Sequence, residues 1–160
     1  MALAIYISLT ILLLHFAYYI RKPLNFLQNS LIFMVTAIIT RQCLTIMSME
    51  WKLYKLTEDD WLFVCLLLCR DILTPMVTVI FCNFYLRRDF WFSKLATFVI
   101  CLATLLGLNY MAVRFGIITY TRWNFGFMAL LNTLFLLTAL GLVKLISYIQ
   151  MWENRQNESI

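Results

Sequence analysis

The sequence predicts an all-α, polytopic transmembrane helical bundle of about five spans, N-out/C-in, with no extramembrane domain. Three observations carry this expectation. Of 160 residues, 63% are hydrophobic and only 13% charged, about half the charged share of an ordinary soluble domain, so lipid is the solvent such a surface requires. The apolar residues fall into five long runs, near 2–20, 30–49, 61–86, 95–113 and 124–143, each close to or above the roughly 20 residues that cross a bilayer. Trp51, Trp61, Trp91, Trp123 and Trp152 fall near the ends of these runs, where interfacial aromatic belts form. Residues 1–160 read as one membrane domain.

The first run, 2–20, lacks a basic segment before it, and Arg21-Lys22-Pro23 follows where a signal peptide would carry small residues; it reads as a retained span. His15 lies in its lower half. As the only histidine it reads as a residue bonded to a neighbouring helix, because no bis-His site can be assembled within one copy. The second run starts after Asn29 or Ser30, either of which is a good N-cap, and carries Arg41 near its middle. Residues 50–60 form the longest polar connection. Thr57 and Asp60 have the spacing of a capping box, and Glu58, Asp59 and Asp60 suit the positive end of the next helix dipole. With Lys52 and Lys55, these acids mark the expected partner-contact loop.

The third run is interrupted at its centre by Arg70 and Asp71, and Pro75 follows four residues later. A charge at mid-bilayer costs about 2.5–3.5 kcal/mol on the insertion scale. Pro75 has no N–H, so the Asp71 carbonyl loses its helical partner. Freed backbone groups of this kind are tolerated only where a neighbouring helix, hydroxyl or water satisfies them, so this segment is expected to face protein or a small wet pocket. The fourth run contains Ala103 and Gly107 at small-xxx-small spacing and ends at Arg114, which is placed to snorkel. The fifth carries Asn132 and ends at Lys144, and residues 150–160 read as a short polar tail. The sequon at Asn157 falls in that tail, on the side read as internal, and is taken as chance.

Orientation follows from Lys and Arg. Arg21, Lys22, Arg87, Arg88, Lys94, Lys144 and Arg155 fall on one side, against Lys52, Lys55, Arg114 and Arg122 on the other, which by the positive-inside rule gives N-out/C-in. Arg41 lies about 15 Å from Leu31 and Asp71 about 15 Å from Trp61 along their helices. Both are therefore expected near the midplane of neighbouring antiparallel spans, where they are placed to pair. Arg41, Arg70, Asp71, Pro75 and His15 make up the expected buried polar cluster, read either as a structural lock or as a transport site.

Enzyme chemistry finds little footing. Only one carboxylate, Asp71, is predicted inside the membrane. The cysteines, Cys43, Cys65, Cys69, Cys82 and Cys101, form no Cys-x-x-Cys pair and read as packing residues. Four glycines build no phosphate loop. No catalytic, cofactor or metal site is expected, and the basic balance lacks the stripe that nucleic-acid binding needs. The expected partners are the lipid bilayer and another membrane protein or a second copy. The leading expectation is a small integral membrane protein that acts by binding another membrane protein, as an assembly, immunity or regulatory subunit. The alternative is an oligomeric ion or small-solute transporter or channel component using the midplane charges; a lipid-modifying enzyme ranks third. Short loops point to a bacterial cytoplasmic membrane.

Overall fold

In this computed structural model, which describes residues 1–20, 23–57, 59–121 and 124–157, the third hydrophobic run is the axis of the bundle. Arg21, Lys22, Glu58, Arg122, Trp123 and residues 158–160 lie outside the described residues; Glu58 of the expected contact loop and part of the sequon are among them. The chain forms α1 (Ala2–Tyr19), α2 (Phe26–Met49), β1 (Tyr54–Leu56), α3 (Asp60–Leu67), a π-helical turn (Leu68–Leu73), α4 (Thr74–Arg87), α5 (Trp91–Arg114), β2 (Ile118–Tyr120) and α6 (Phe125–Asn157). The helix is unbroken from α3 through α4, giving a third span of 28 residues. Counted this way, five helices are long and apolar enough to cross a membrane.

The third span packs on each of the other four helices. Its residues Cys65, Cys69, Leu73, Val77, Phe81 and Cys82 are buried and run along the core, joined by Leu105 and Leu108 of α5 and Leu136 and Ala139 of α6. Four of the five cysteines are thus small packing residues, and all five are unbridged. Lipid tails are as apolar as Leu, so close packing rather than the hydrophobic effect holds such helices together. The outer surface carries Ile11, Leu12, Val99, Ile100, Leu130 and Leu137, all exposed.

Local signals explain where the helices begin and end, and several differ from the sequence expectations. Helix α2 starts four residues early: the Asn25 N–H donates to Gln28 Oε1 at 2.8 Å, while Asn29, expected as a cap, is buried. Helix α3 is capped by Asp59, whose Oδ1 accepts from the Trp61 N–H at 3.0 Å. The Thr57–Asp60 box therefore gives way to an Asp59 cap. Thr57 helps by accepting the Asp59 N–H at 3.2 Å. Helix α5 closes in a Schellman motif: the Ile117 N–H reaches Ala112 O at 2.9 Å and the Gly116 N–H reaches Val113 O at 3.0 Å, with Gly116 at φ 71°, a conformation glycine adopts without steric cost. Helix α6 continues to Asn157, well past the expected end of the fifth span, so residues 150–157 are helical. Ala103 and Gly107 are exposed and serve no close approach within the chain.

One element had no counterpart in the sequence reading. The polar connection after α2 pairs with the α5–α6 connection as a two-stranded antiparallel ribbon, Tyr54 opposite Tyr120, Lys55 opposite Thr119 and Leu56 opposite Ile118. Backbone bonds from Thr57 N to Ile117 O (3.1 Å) and from Thr121 N to Leu53 O (3.0 Å) extend the ladder. Lys52 enters it at φ 49°. Burial in this ribbon pushes the Tyr120 phenol above its ordinary value. The ribbon marks one end of the bundle; Arg87, Arg88 and Lys94 lie at the other.

Candidate functional site: a neutralised π turn and an outward arginine

The centre of the third span is wound more loosely than an α-helix. Pro75 offers no N–H, and over Leu68–Leu73 the ladder shifts to i→i+5 bonding. The slack is taken up locally. Both the backbone N–H and the hydroxyl of Thr74 bond Cys69 O, the hydroxyl at 2.9 Å. The Thr78 hydroxyl in turn donates to Thr74 O at 2.9 Å. These hydroxyls, one on either side of Pro75, reinforce the ladder at the Cys69 and Thr74 carbonyls.

On this turn Arg70 and Asp71 bind each other. Arg70 Nε lies 2.7 Å from Asp71 Oδ1 and its second guanidinium arm 3.1 Å from Oδ2, a bidentate pair of the geometry carboxylates favour. Arg70 is buried and Asp71 half-buried. Adjacent residues on an α-helix do not normally face each other; here the long arginine side chain folds back onto its neighbour. The expected pairing of Arg41 with Asp71 does not form.

Arg41 is instead exposed, with no carboxylate partner among the described residues. The reason lies in how α2 divides its surface. Ile32, Thr36 and Thr40 are buried, and α2 packs against the third span. Ile39, Cys43 and Met47 pack against Met128, Leu131 and Phe135 of α6. The remaining stripe, Leu27, Leu31, Met34, Ile38 and Arg41, points outward. Its spacing of four and three residues is that of a helix seam. Arg41 lies about 12 Å from the ribbon end of α2 and about 22 Å from the other. Its Cα–Cβ bond leans toward the helix N-terminus, away from the nearer membrane face, so snorkelling works against the backbone direction.

His15 also leaves the expected cluster. It is exposed, four residues from the end of α1, with its ring 6.2 Å from that of Tyr19. Alongside exposed Tyr18 and Tyr19 it reads as part of an interfacial aromatic collar. Pro75 is fully buried. Of the five cluster residues, the structure therefore brings together Arg70, Asp71 and Pro75 and separates Arg41 and His15. In the expected contact loop, Lys52, Lys55, Asp59 and Asp60 are exposed, with Lys55 on the ribbon.

A second polar contact was missed by the sequence reading. Asn29 of α2 and Asn83 of α4 are both buried, and Asn83 Nδ2 donates to Asn29 Oδ1 at 2.6 Å. Asn29 Nδ2 donates to Leu24 O and Asn25 O at 2.9 and 3.1 Å. The signal was present as an asparagine near the end of the third hydrophobic run and another at the start of the second, at the same end of the bundle. Among the described residues no group of three metal-binding side chains occurs. Comparison with protein-family models, with curated proteins and with solved structures finds no match.

Proposed function

We propose that this chain is a multi-pass integral membrane protein, N-out/C-in in a bacterial cytoplasmic membrane, that acts by binding another membrane protein as an assembly, immunity or regulatory subunit. The observation that carries the reading is Arg41: a charged side chain, deep in a membrane-length helix, on an outward seam with no carboxylate partner among the described residues. Facing lipid, it costs up to about 2.5–3.5 kcal/mol. Covered by a helix that carries Asp or Glu at the same depth, it becomes a charge-assisted hydrogen bond. The occupant that fits is thus a foreign transmembrane helix with an intramembrane carboxylate. A second copy fits less well, because its one carboxylate at that depth, Asp71, is already held by its own Arg70. The mutual neutralisation of Arg70 and Asp71 also leaves little free charge inside the bundle for a transport path.

The test places a photo-crosslinking residue at Ile38 on the seam and, as a control, at exposed Ile100 on α5. In native membranes, Ile38 is expected to capture a polypeptide with an acidic residue inside a span, and Ile100 to capture lipid. Lipid adducts from both sites, or a homodimer adduct from Ile38, would overturn the proposal.

A further inference from the structure

We propose that the crevice between α1, α4 and α5 is a binding site for an anionic phospholipid of the bilayer, with one acyl chain along the crevice and the phosphate on Arg88. Helices α1 and α5 each pack on α4, and the gap left between them has a volume of about 290 Å³, at the lower end of the range for ligand sites. Arg88, Phe84, Ile80 and Val77 of the α4 side line it, at spacings of four, four and three residues, which is one face of a helix. From Arg88 to Val77 that face runs about 16 Å, roughly half of a 30 Å hydrocarbon core. The crevice therefore has the length of one leaflet.

Its shape is that of a chain groove with a charged end. Val77, Ile80 and Cys101 are buried and form its floor. Phe16, Ile100 and Thr104 are exposed and form its rim, so an acyl chain enters sideways from the bilayer while the second chain of the lipid stays outside. Phe16 stacks on Phe84, ring centroids 6.2 Å apart, and closes the wall one turn below Arg88. The two hydroxyls of the lining bond their own helix: Thr97 donates to Ser93 O at 2.8 Å and Thr104 to Ile100 O at 2.9 Å. What remains is apolar along its length and ends in one guanidinium, which suits an amphiphile with a chain and an anionic head.

The charge around Arg88 selects that head. No carboxylate lies within ion-pairing distance of Arg88 among the described residues. The corner between α4 and α5 carries Arg87, Arg88 and Lys94 against Asp89 alone, so its balance is positive. An arginine forks onto two phosphate oxygens, and every phospholipid brings those oxygens. A choline head adds a fixed cation beside this basic corner, whereas a glycerol head adds none, and the anionic lipid is favoured. In the proposed orientation the corner meets the cytoplasmic leaflet, whose surface anionic lipids make negative. The inference uses the membrane reading and does not depend on the α2 seam.

Native mass spectrometry of the full chain in mild detergent tests it with dioleoyl phosphatidylglycerol, dioleoyl phosphatidylcholine and glycerol 3-phosphate. Phosphatidylglycerol is expected to bind about fivefold tighter than phosphatidylcholine, the weight of about one cation beside an anionic head. Glycerol 3-phosphate, a head without a chain, is expected not to bind. Arg88→Gln is expected to weaken phosphatidylglycerol about tenfold. Arg87→Gln, at the same corner but outside the crevice, is expected to weaken it at most about threefold. Thr104→Trp, which fills the deep end and leaves Arg88 in place, is expected to weaken it as much as Arg88→Gln. All three positions are exposed, so the core is untouched, and an unchanged unfolding midpoint checks this. Equal losses from Arg87→Gln and Arg88→Gln would mean that the corner gathers anionic lipid without a site. Full binding by Thr104→Trp would place the chain elsewhere. Either result overturns the proposal, as would equal binding of phosphatidylcholine or tight binding of glycerol 3-phosphate, the mark of a free-phosphate site.

Discussion

Replacing Arg41 by Leu is expected to have effects of opposite sign in the isolated chain and in the proposed complex, which makes it the sharpest test of the seam. In the isolated chain Arg41 is exposed and without a carboxylate among the described residues, so in a bilayer the substitution removes a penalty of about 2.5–3.5 kcal/mol and adds a Leu favourable by about 0.3–0.6 kcal/mol. The free chain is expected to gain up to about 3–4 kcal/mol, less any relief Arg41 already obtains from water drawn into the lipid. In the complex the same change strands the partner's carboxylate in a buried interface, which costs about 3–5 kcal/mol. At 1.4 kcal/mol per tenfold, partner affinity is expected to fall by a hundredfold or more. The assay is reversible unfolding of the isolated chain in bicelles, alongside yield of the intact complex after mild-detergent purification. An Arg41→Leu chain that is more stable alone yet recovers its partner at full yield would refute the seam. So would one that loses stability alone, because Arg41 would then have an internal role.

Three further outcomes follow from the same geometry. Asp71→Asn leaves the buried Arg70 without its bidentate partner and is expected to destabilise the bundle by about 3 kcal/mol in the same unfolding assay, whereas Arg70→Met with Asp71→Leu is expected to fall near wild type. Asn29→Leu removes the acceptor for Asn83 Nδ2 and is expected to cost about 1–3 kcal/mol, with faster hydrogen exchange in the first turn of α2. Gly116→Ala meets no steric neighbour, so its expected cost of about 1–2 kcal/mol reflects only the positive φ of 71°, read as a lowered midpoint with an unchanged unfolding slope.

The bundle was legible in the sequence because its period is coarse. Five apolar runs bounded by Trp and basic residues need no knowledge of which faces touch, and Pro75 already announced a disturbed ladder. The faces themselves were not legible. Arg41 and Asp71 were placed at similar depth along α2 and the third span; what decides pairing is rotation about each helix axis. Periodicity fixes rotation poorly when lipid-facing and core-facing positions are both apolar. On α2 the polar residues Thr36 and Thr40 face inward while Ile38 faces out, the reverse of a soluble helix. The ribbon was hidden for a different reason. Tyr54-Lys55-Leu56 and Ile118-Thr119-Tyr120 are each three residues long, too short for an alternating pattern to stand out, and their pairing depends on two loops far apart in the chain meeting at one end of the bundle.

The two arginines in the interior of the membrane-length helices, Arg41 and Arg70, divide the work in a way that follows from their surroundings. Arg70 stands on the helix that touches all others, where an unmatched charge would destabilise the whole core, and the chain supplies Asp71 as the next residue. The counter-ion is thus in place whatever the other spans do, and the third span carries its own neutral pair. Arg41 stands on a helix whose third face is unclaimed, and the described residues offer it nothing. A charge whose only function was to fix register would be expected to find its partner within the bundle, as Arg70 does. The proposal of a structure larger than this chain rests on Arg41 for that reason: its stripe is complete in spacing and lacks a carboxylate among the described residues, and in the proposed assembly a neighbouring helix brings it.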